Sequence, residues 1–243
     1  MIGQFKFADK KSYDDFKLLL YKVDVEQPTP NILKASVPFM NGSYDMSELY
    51  GESSYPDRVV SIGVEFEYFN DLRREKLNLL YDEVVMWLRS SINEKLEIDF
   101  QYGYFVGRAQ EISSLEVFEM TGRIEIKFIC YPFRYGKYEE GNDIWDTFNF
   151  INGISQNTDF SINGIKEILL INPSIASIVP EVETTSDIEV IKGESVYLFK
   201  PGVNKDYRFM LNKGENRLTL KGKGEIRFKF RSCLLYTSDA ADD

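Results

Sequence analysis

The chain has 243 residues, a formal net charge of −10 and no histidine. Without histidine, neither a Ser-His-Asp or Cys-His triad nor a His-Glu-x-x-His zinc site can be assembled. Two cysteines are too few for a thiolate metal site or a disulfide framework, and an acidic chain is a poor ligand for a phosphate backbone. We therefore expect no enzyme activity, no cofactor, no metal site and no nucleic-acid partner.

The length suits one large β domain or two of ordinary size. No apolar run approaches the ~20 residues needed to cross a membrane. The N-terminus shows neither the basic start nor the apolar stretch of a signal peptide. We expect synthesis and folding in the cytoplasm, without membrane insertion.

The first 140 residues predict a β-sandwich with one helix. Apolar and polar residues alternate with the period of two that describes a strand with one buried face. Strands are predicted at about 5–7, 16–25, 32–37, 59–66, 96–101, 110–120 and 122–128.

A helix is predicted at about 72–91, because apolar residues recur there at spacings of three and four. Trp87 lies near the edge of this stripe. The helix could dock a partner, but covering the open face of a sheet is the favoured interpretation. The stripe comprises Leu77, Leu80, Tyr81, Val84, Leu88 and Ile92.

A turn-rich stretch, residues 37–58, separates two of the predicted strands. Pro38 cannot donate to a ladder and belongs at a strand end or edge. Asn41-Gly42 tolerates positive φ and is a strong signal for a tight turn. From the residues alone, this is an exposed loop between two strands.

A boundary is predicted at 136–143, where glycine and charged residues cluster. Beyond it, many short strands with Gly-rich turns predict a second β-sandwich, at 141–232. The expected turns include Asn163-Gly164 and residues 221–224. Residues 200–231 carry ten basic and three acidic side chains. They are either a patch for an acidic partner or the outward residues of amphipathic strands, and the alternation with apolar residues favours the strands.

The last segment, 233–243, does not continue this pattern and is similar to translated sequencing-adapter sequence. We expect it to be disordered or artefactual.

Several short motifs follow one another along the chain and together resemble a known family. In their order and spacing they are similar to the distal tail proteins of long-tailed, siphovirus-type phages or prophages, over about residues 1–232. The chain departs from that family at Phe39-Met40, where a basic residue often precedes the turn. The motifs are Val37-Pro38 with Asn41-Gly42 and Tyr44-Asp45, Asp57-Arg58 opening a strand, Trp87-Leu88 on the helix, Ile98-Asp99-Phe100 followed by Tyr104-Phe105, and Phe128-x-Cys130-Tyr131-Pro132-Phe133.

The resemblance implies a mainly β (α+β) structural protein of the virion tail tip. Residues 1–140 would form a ring, expected to be a hexamer, and residues 141–232 would form a galectin-like or carbohydrate-module-like sandwich. The implied role is to connect the tail tube to the host-adsorption apparatus. The implied partners are further copies of the chain, the tail tube protein, and tail-associated fibre or receptor-binding proteins.

Two sets of candidate site residues follow. We expect residues 37–55 to order against a neighbouring subunit, because such a segment is long and irregular for a hairpin and its unpaired backbone groups need partners. The alternative function is a carbohydrate-binding module that recognises cell-surface glycans through Trp145, Tyr197 and Tyr207 of the second sandwich. The interface candidates are Val37, Pro38, Asn41, Gly42, Tyr44, Asp45, Tyr50 and Gly51.

Overall fold

The computed structural model describes residues 3–49, 51–66, 74–118, 121–141 and 156–235. The chain divides into two compact units: unit 1 comprises Met1–Arg134 with Leu235–Asp243, and unit 2 comprises Tyr135–Leu234. The described residues contain eighteen strands and two helices. The predicted mainly β sandwich class is therefore confirmed.

Unit 1 is built on one antiparallel sheet, in which the strands lie in the order β2-β1-β7-β8-β10-β6-β3 and β9 pairs with β10. A separate two-stranded ribbon, β4 with β5, lies outside that sheet. The elements are β1 (Phe5–Phe7), β2 (Lys10–Lys11), α1 (Ser12–Phe16), β3 (Leu18–Val25), β4 (Lys34–Ala35), β5 (Tyr44–Asp45), β6 (Arg58–Phe66), α2 (Arg74–Arg89), β7 (Glu94–Ile98), β8 (Tyr104–Ile112), β9 (Glu116–Phe118), β10 (Thr121–Cys130) and, at the boundary, β11 (Arg134–Tyr135).

Alternation in the sequence sets the register at the centre of this sheet. Ile62 of β6 lies opposite Ile126 of β10, and Val60 lies opposite Phe128. All four side chains are fully buried. Because side chains on a strand alternate between faces, a shift of one residue would turn this entire set towards water.

Helix α2 packs on the core of unit 1 through the predicted stripe: Leu77, Val84 and Leu88 are buried. Trp87 lies deeper than predicted, since its ring stacks on Phe16 at a centroid distance of 4.6 Å. The prediction for Ile92 is wrong, because the helix ends at Arg89 and leaves that side chain exposed. Neither helix among the described residues has the length and hydropathy to span a membrane.

Unit 2 is a six-stranded antiparallel sheet dominated by two long strands. β17 pairs with β12 along one side, and with β14 and then β13 along the other. Its elements are β12 (Asp159–Asn172), β13 (Glu181–Thr184), β14 (Ile188–Lys192), β15 (Ser195–Phe199), β16 (Gly202–Asn204) and β17 (Gly214–Lys229), followed by β18 (Cys233–Leu234).

Two predicted turns in unit 2 are wrong, and for the same reason. Asn163-Gly164 lies inside β12, and residues 221–224 lie inside β17, with Gly164 paired to Gly222. The glycines lie within a continuous ribbon instead of ending two strands, and their φ values are +106° at Gly164 and +148° at Gly222. Glycine adopts such positive φ values without the steric cost that other residues incur.

The expected disorder from residue 233 onwards is wrong for residues 233–235. Cys233 begins a short strand, and its backbone N–H donates to Ser174 Oγ at 2.7 Å. The buried Arg58 guanidinium donates to the Leu235 carbonyl oxygen at 2.6 Å. Residues 236–243 lie outside the described part of the chain.

Candidate functional site: an exposed apolar hairpin

The excursion between β3 and β6 forms a hairpin outside the main sheet of unit 1, so the expectation that this segment is too long and irregular for a hairpin is wrong. Its two short strands pair Lys34 with Asp45 and Ala35 with Tyr44. At its base, the Asn31 N–H donates to the Ser54 carbonyl at 2.8 Å. We call residues 31–54 the apolar hairpin.

A tight turn at residues 37–40 forms the tip of the apolar hairpin. The Met40 N–H donates to the Val37 carbonyl at 3.1 Å, with Pro38 and Phe39 in the central positions. Phe39 has φ of +66° and is fully exposed. A turn with Pro second and positive φ third is a type II turn, which normally takes glycine or asparagine in that third position. A bulky residue there is strained, and such strain concentrates at functional sites.

Side-chain hydrogen bonds hold the apolar hairpin in shape. Asp45 Oδ1 accepts from the Ser47 hydroxyl at 2.5 Å and from the Ser47 N–H at 2.9 Å. These bonds lower the pKa of the Asp45 carboxyl. The Leu33 N–H donates in turn to Ser47 Oγ at 2.9 Å. The hairpin is therefore an ordered element, although none of its described side chains belongs to the hydrophobic core of unit 1.

The apolar hairpin presents large hydrophobic side chains to solvent along its whole length. Single exposed hydrophobic residues are normal, but a contiguous group marks an interaction surface. The exposed group comprises Ile32, Leu33, Val37, Phe39, Tyr44, Met46 and Leu49.

The structure brings most of the predicted interface residues into this one element. Val37, Pro38, Asn41, Gly42, Tyr44, Asp45 and Gly51 are all exposed on it, and Tyr50 lies outside the described residues. Sequence reasoning missed Ile32, Leu33, Phe39 and Leu49. Ile32 and Leu33 begin a predicted strand, in which apolar residues are expected to face a core. Phe39 and Leu49 lie in the stretch predicted as an exposed loop, but they were not among the interface candidates.

The described residues offer little for catalysis. No group of three or more His, Cys, Asp or Glu side chains among them could hold a metal ion. Burial raises the pKa of the Cys130 thiol to about 12 and that of Cys233 to about 11, so neither is a thiolate nucleophile at neutral pH.

A shallow groove of about 410 Å³ in unit 2 contains acidic residues, but two of them are committed to cross-strand ion pairs. Asp159 pairs with Arg227 at 3.2 Å, and Glu183 pairs with Lys229 at 2.6 Å. The same pairs favour the interpretation of the basic C-terminal strands as amphipathic, because their cations lie beside acids on neighbouring strands.

The glycan candidates are not equivalent in the structure. The Tyr197 hydroxyl donates to the Arg208 carbonyl at 3.2 Å, and its ring contacts Phe209 at a centroid distance of 5.0 Å. Tyr197 is thus committed to internal packing, whereas Tyr207 is exposed. Trp145 lies outside the described residues.

An ordered hairpin with exposed apolar side chains is typical of a surface for protein association. No family model and no curated protein matches this sequence. Among solved structures, the fold is similar to that of a phage hub protein.

The Dit protein of phage SPP1, described as a paradigm of the hub adsorption apparatus in phages that infect Gram-positive bacteria, aligns with a TM-score of 0.63. It is 12% identical over 95% of this chain and 99% of that chain. A chain of the phage P2 baseplate, in its activated conformation with Ca, gives a TM-score of 0.45 at 14% identity, over 94% of this chain and 98% of that one. Because the identity to the Dit protein is only 12%, this similarity establishes a shared fold and nothing more.

Proposed function

We propose that the protein is a structural component of a phage tail tip, where six copies form a ring that connects the tail tube to the host-adsorption apparatus. The observation that carries the proposal is the apolar hairpin, an ordered element whose hydrophobic side chains lack a covering surface within the described residues. The similarity of the fold to a phage hub protein over nearly the whole chain supports it.

The physical argument concerns what the apolar hairpin gains from a neighbour. Burying one large aliphatic or aromatic side chain stabilises by about 1.5–3 kcal/mol. A surface on one copy that fits a different surface on the next makes a head-to-tail contact, which closes into a ring when the rotation permits. A ring component needs complementary surfaces of this kind and no catalytic group.

Unit 1, which carries the apolar hairpin, would supply the ring. Unit 2 would hold the other tail proteins, namely fibre or receptor-binding proteins, and the tube protein would contact the ring. In this proposal, the protein lies at the virion tail tip and needs no cofactor.

Light scattering of the full-length protein over a concentration series tests the ring. The expected result is a species of about six times the 28.2 kDa chain mass, or a mass that climbs towards it with concentration. Tyr44→Ser combined with Leu49→Ser should lower the mass towards that of one chain while leaving the circular dichroism spectrum unchanged.

The matched control is Tyr207→Ser, which removes an exposed aromatic ring from unit 2, 74% exposed against 58% for Tyr44. Its mass distribution should equal that of the parent protein. A parent protein that remains monomeric at every concentration, or a doubly substituted hairpin that assembles as the parent does, would contradict the proposal.

A further inference from the structure

Strand β15 forms an open edge of the sheet in unit 2. Within the described residues, β15 pairs with β14 on one side and with no strand on the other. An open edge presents unpaired N–H and C=O groups that can pair with another chain.

Four other edge strands, β2, β3, β12 and β16, carry features that discourage such pairing. β2 consists of two exposed lysines, and β3 has an irregular register between Leu20 and Lys22. β12 contains Gly164 at positive φ, and the Gln156 side chain both accepts from and donates to the backbone of Ile171. β16 has three residues and begins at a positive-φ glycine. Charges, bulges, bends and short length are the devices that protect natural edges.

β15 has none of these devices. Its sequence, Ser-Val-Tyr-Leu-Phe, contains no charge, proline or glycine, and its register with β14 is regular. Val196 and Leu198 point outwards and are about 60% exposed. Each lies opposite a residue of β14 and continues a row of side chains across the sheet: Leu198 lies opposite Glu189, and Val196 lies opposite Ile191.

The charges that flank β15 indicate which chain it pairs with. Glu194 precedes the strand and Lys200 follows it, at equal distances from Tyr197. Both side chains are exposed, and neither has an ion-pair partner among the described residues. When two identical strands pair antiparallel about Tyr197, Glu194 of each copy lies beside Lys200 of the other. Opposite charges at facing positions favour a pairing, and like charges oppose it.

We propose that β15 is a pairing site for a second copy of this chain. The two strands add antiparallel about a two-fold axis at Tyr197, with Val196 of one copy opposite Leu198 of the other, and extend the sheet of unit 2 across both copies. This contact uses no residue of the apolar hairpin and does not depend on the proposed ring.

Cysteine cross-linking of the full chain tests the register. Directly opposite residues on antiparallel strands have Cβ atoms about 4.5–5.5 Å apart, whereas diagonal neighbours are about 7–8 Å apart and out of disulfide reach. A mixture of Val196→Cys and Leu198→Cys chains should therefore form at least ten-fold more covalent dimer than either variant alone. The native thiols at Cys130 and Cys233 are buried and should not contribute.

The matched control is Ile165→Cys, an exposed aliphatic position in the same sheet on the far side of β17. Mixed with Leu198→Cys, it should give no more dimer than either chain alone. Equal cross-linking in all samples, or none in the Val196→Cys and Leu198→Cys mixture, would overturn the proposal.

A charge exchange provides a second, independent test by sedimentation velocity. Glu194→Lys alone and Lys200→Glu alone should each raise the dissociation constant of the pairing, by about three- to ten-fold at low salt, and the double variant should restore it. Restoration cannot follow from misfolding. Because the apolar hairpin is intact in every variant, a failed ring and a failed β15 contact are observed separately; a double variant that pairs no better than the single ones contradicts the register.

Discussion

At the scale of single residues, Phe39 combines a strained backbone conformation with a side chain that is fully exposed. Phe39→Gly removes a fully exposed ring and relieves the strain of φ +66°. We expect a melting temperature equal to or slightly above that of the parent protein, together with self-association weakened by at least ten-fold. Thermal unfolding and light scattering measure the two quantities, and a variant that assembles like the parent would remove Phe39 from the interface.

Gly107, unlike the exposed Phe39, is enclosed by neighbouring backbone atoms. A Cβ atom there would overlap the Ile129 carbonyl oxygen and lie 2.7 Å from Cys130 Cα. Backbone atoms of β10 cannot move aside without breaking the ladder, so Gly107→Ala should destabilise by about 1–3 kcal/mol in urea unfolding. Arg108→Ala, at an exposed position one residue further along β8, should change stability by less than about 0.5 kcal/mol. Similar losses in the two variants would show that the close approach at Gly107 is unimportant.

At the scale of elements, the two paired glycines of β12 and β17 allow the cost of backbone strain to be compared with the cost of steric overlap. Gly164 and Gly222 face each other, and both have positive φ. A Cβ at Gly164 meets nothing within 4 Å, whereas one at Gly222 would lie 3.0 Å from the Asp187 carbonyl oxygen. We expect Gly164→Ala to cost about 1 kcal/mol and Gly222→Ala to cost about 2–3 kcal/mol in urea unfolding. Equal losses would mean that strain alone decides both.

The same elements mark how far the sequence predicts this fold. The strand at β6 is confirmed, because Val60, Ile62 and Val64 alternate with polar or small residues over one buried face. The prediction of a turn at residues 221–224 is wrong, because a Lys-Gly-Lys-Gly sequence is typical of a loop. In the structure these residues lie inside β17 and pair with residues some sixty positions earlier, around Asn163-Gly164. Local composition gives no information about pairing between residues so far apart in the sequence.

The sequence predicts some features of the apolar hairpin and not others. The dipeptide Asn41-Gly42 predicts the positive φ of Gly42, +87°, but the hydrogen-bonded tight turn lies just before it, at residues 37–40. The exposure of Ile32 and Leu33, which begin a predicted strand, could not be predicted, since burial depends on which surfaces the rest of the fold leaves uncovered.

At the scale of the whole molecule, the two units have separate hydrophobic cores, and each unit contains one buried cysteine. Because burial raises the pKa of Cys130 to about 12 and that of Cys233 to about 11, both thiols should resist alkylation at pH 8 until their unit unfolds. Leu220 is fully buried in the core of unit 2, and Ile62 is fully buried in that of unit 1. A Leu→Ala or Ile→Ala change in a core costs about 2–5 kcal/mol.

We therefore expect Leu220→Ala to lower the urea concentration at which Cys233 is alkylated while leaving that of Cys130 unchanged, and Ile62→Ala to do the reverse. Mass spectrometry of the alkylated peptides over a urea series reads both sites in one sample. Each substitution serves as the control for the other, since both remove a buried aliphatic side chain of the same size. If both cysteines shifted together in both variants, the units would unfold as one cooperative body, and each core would depend on the other for its stability.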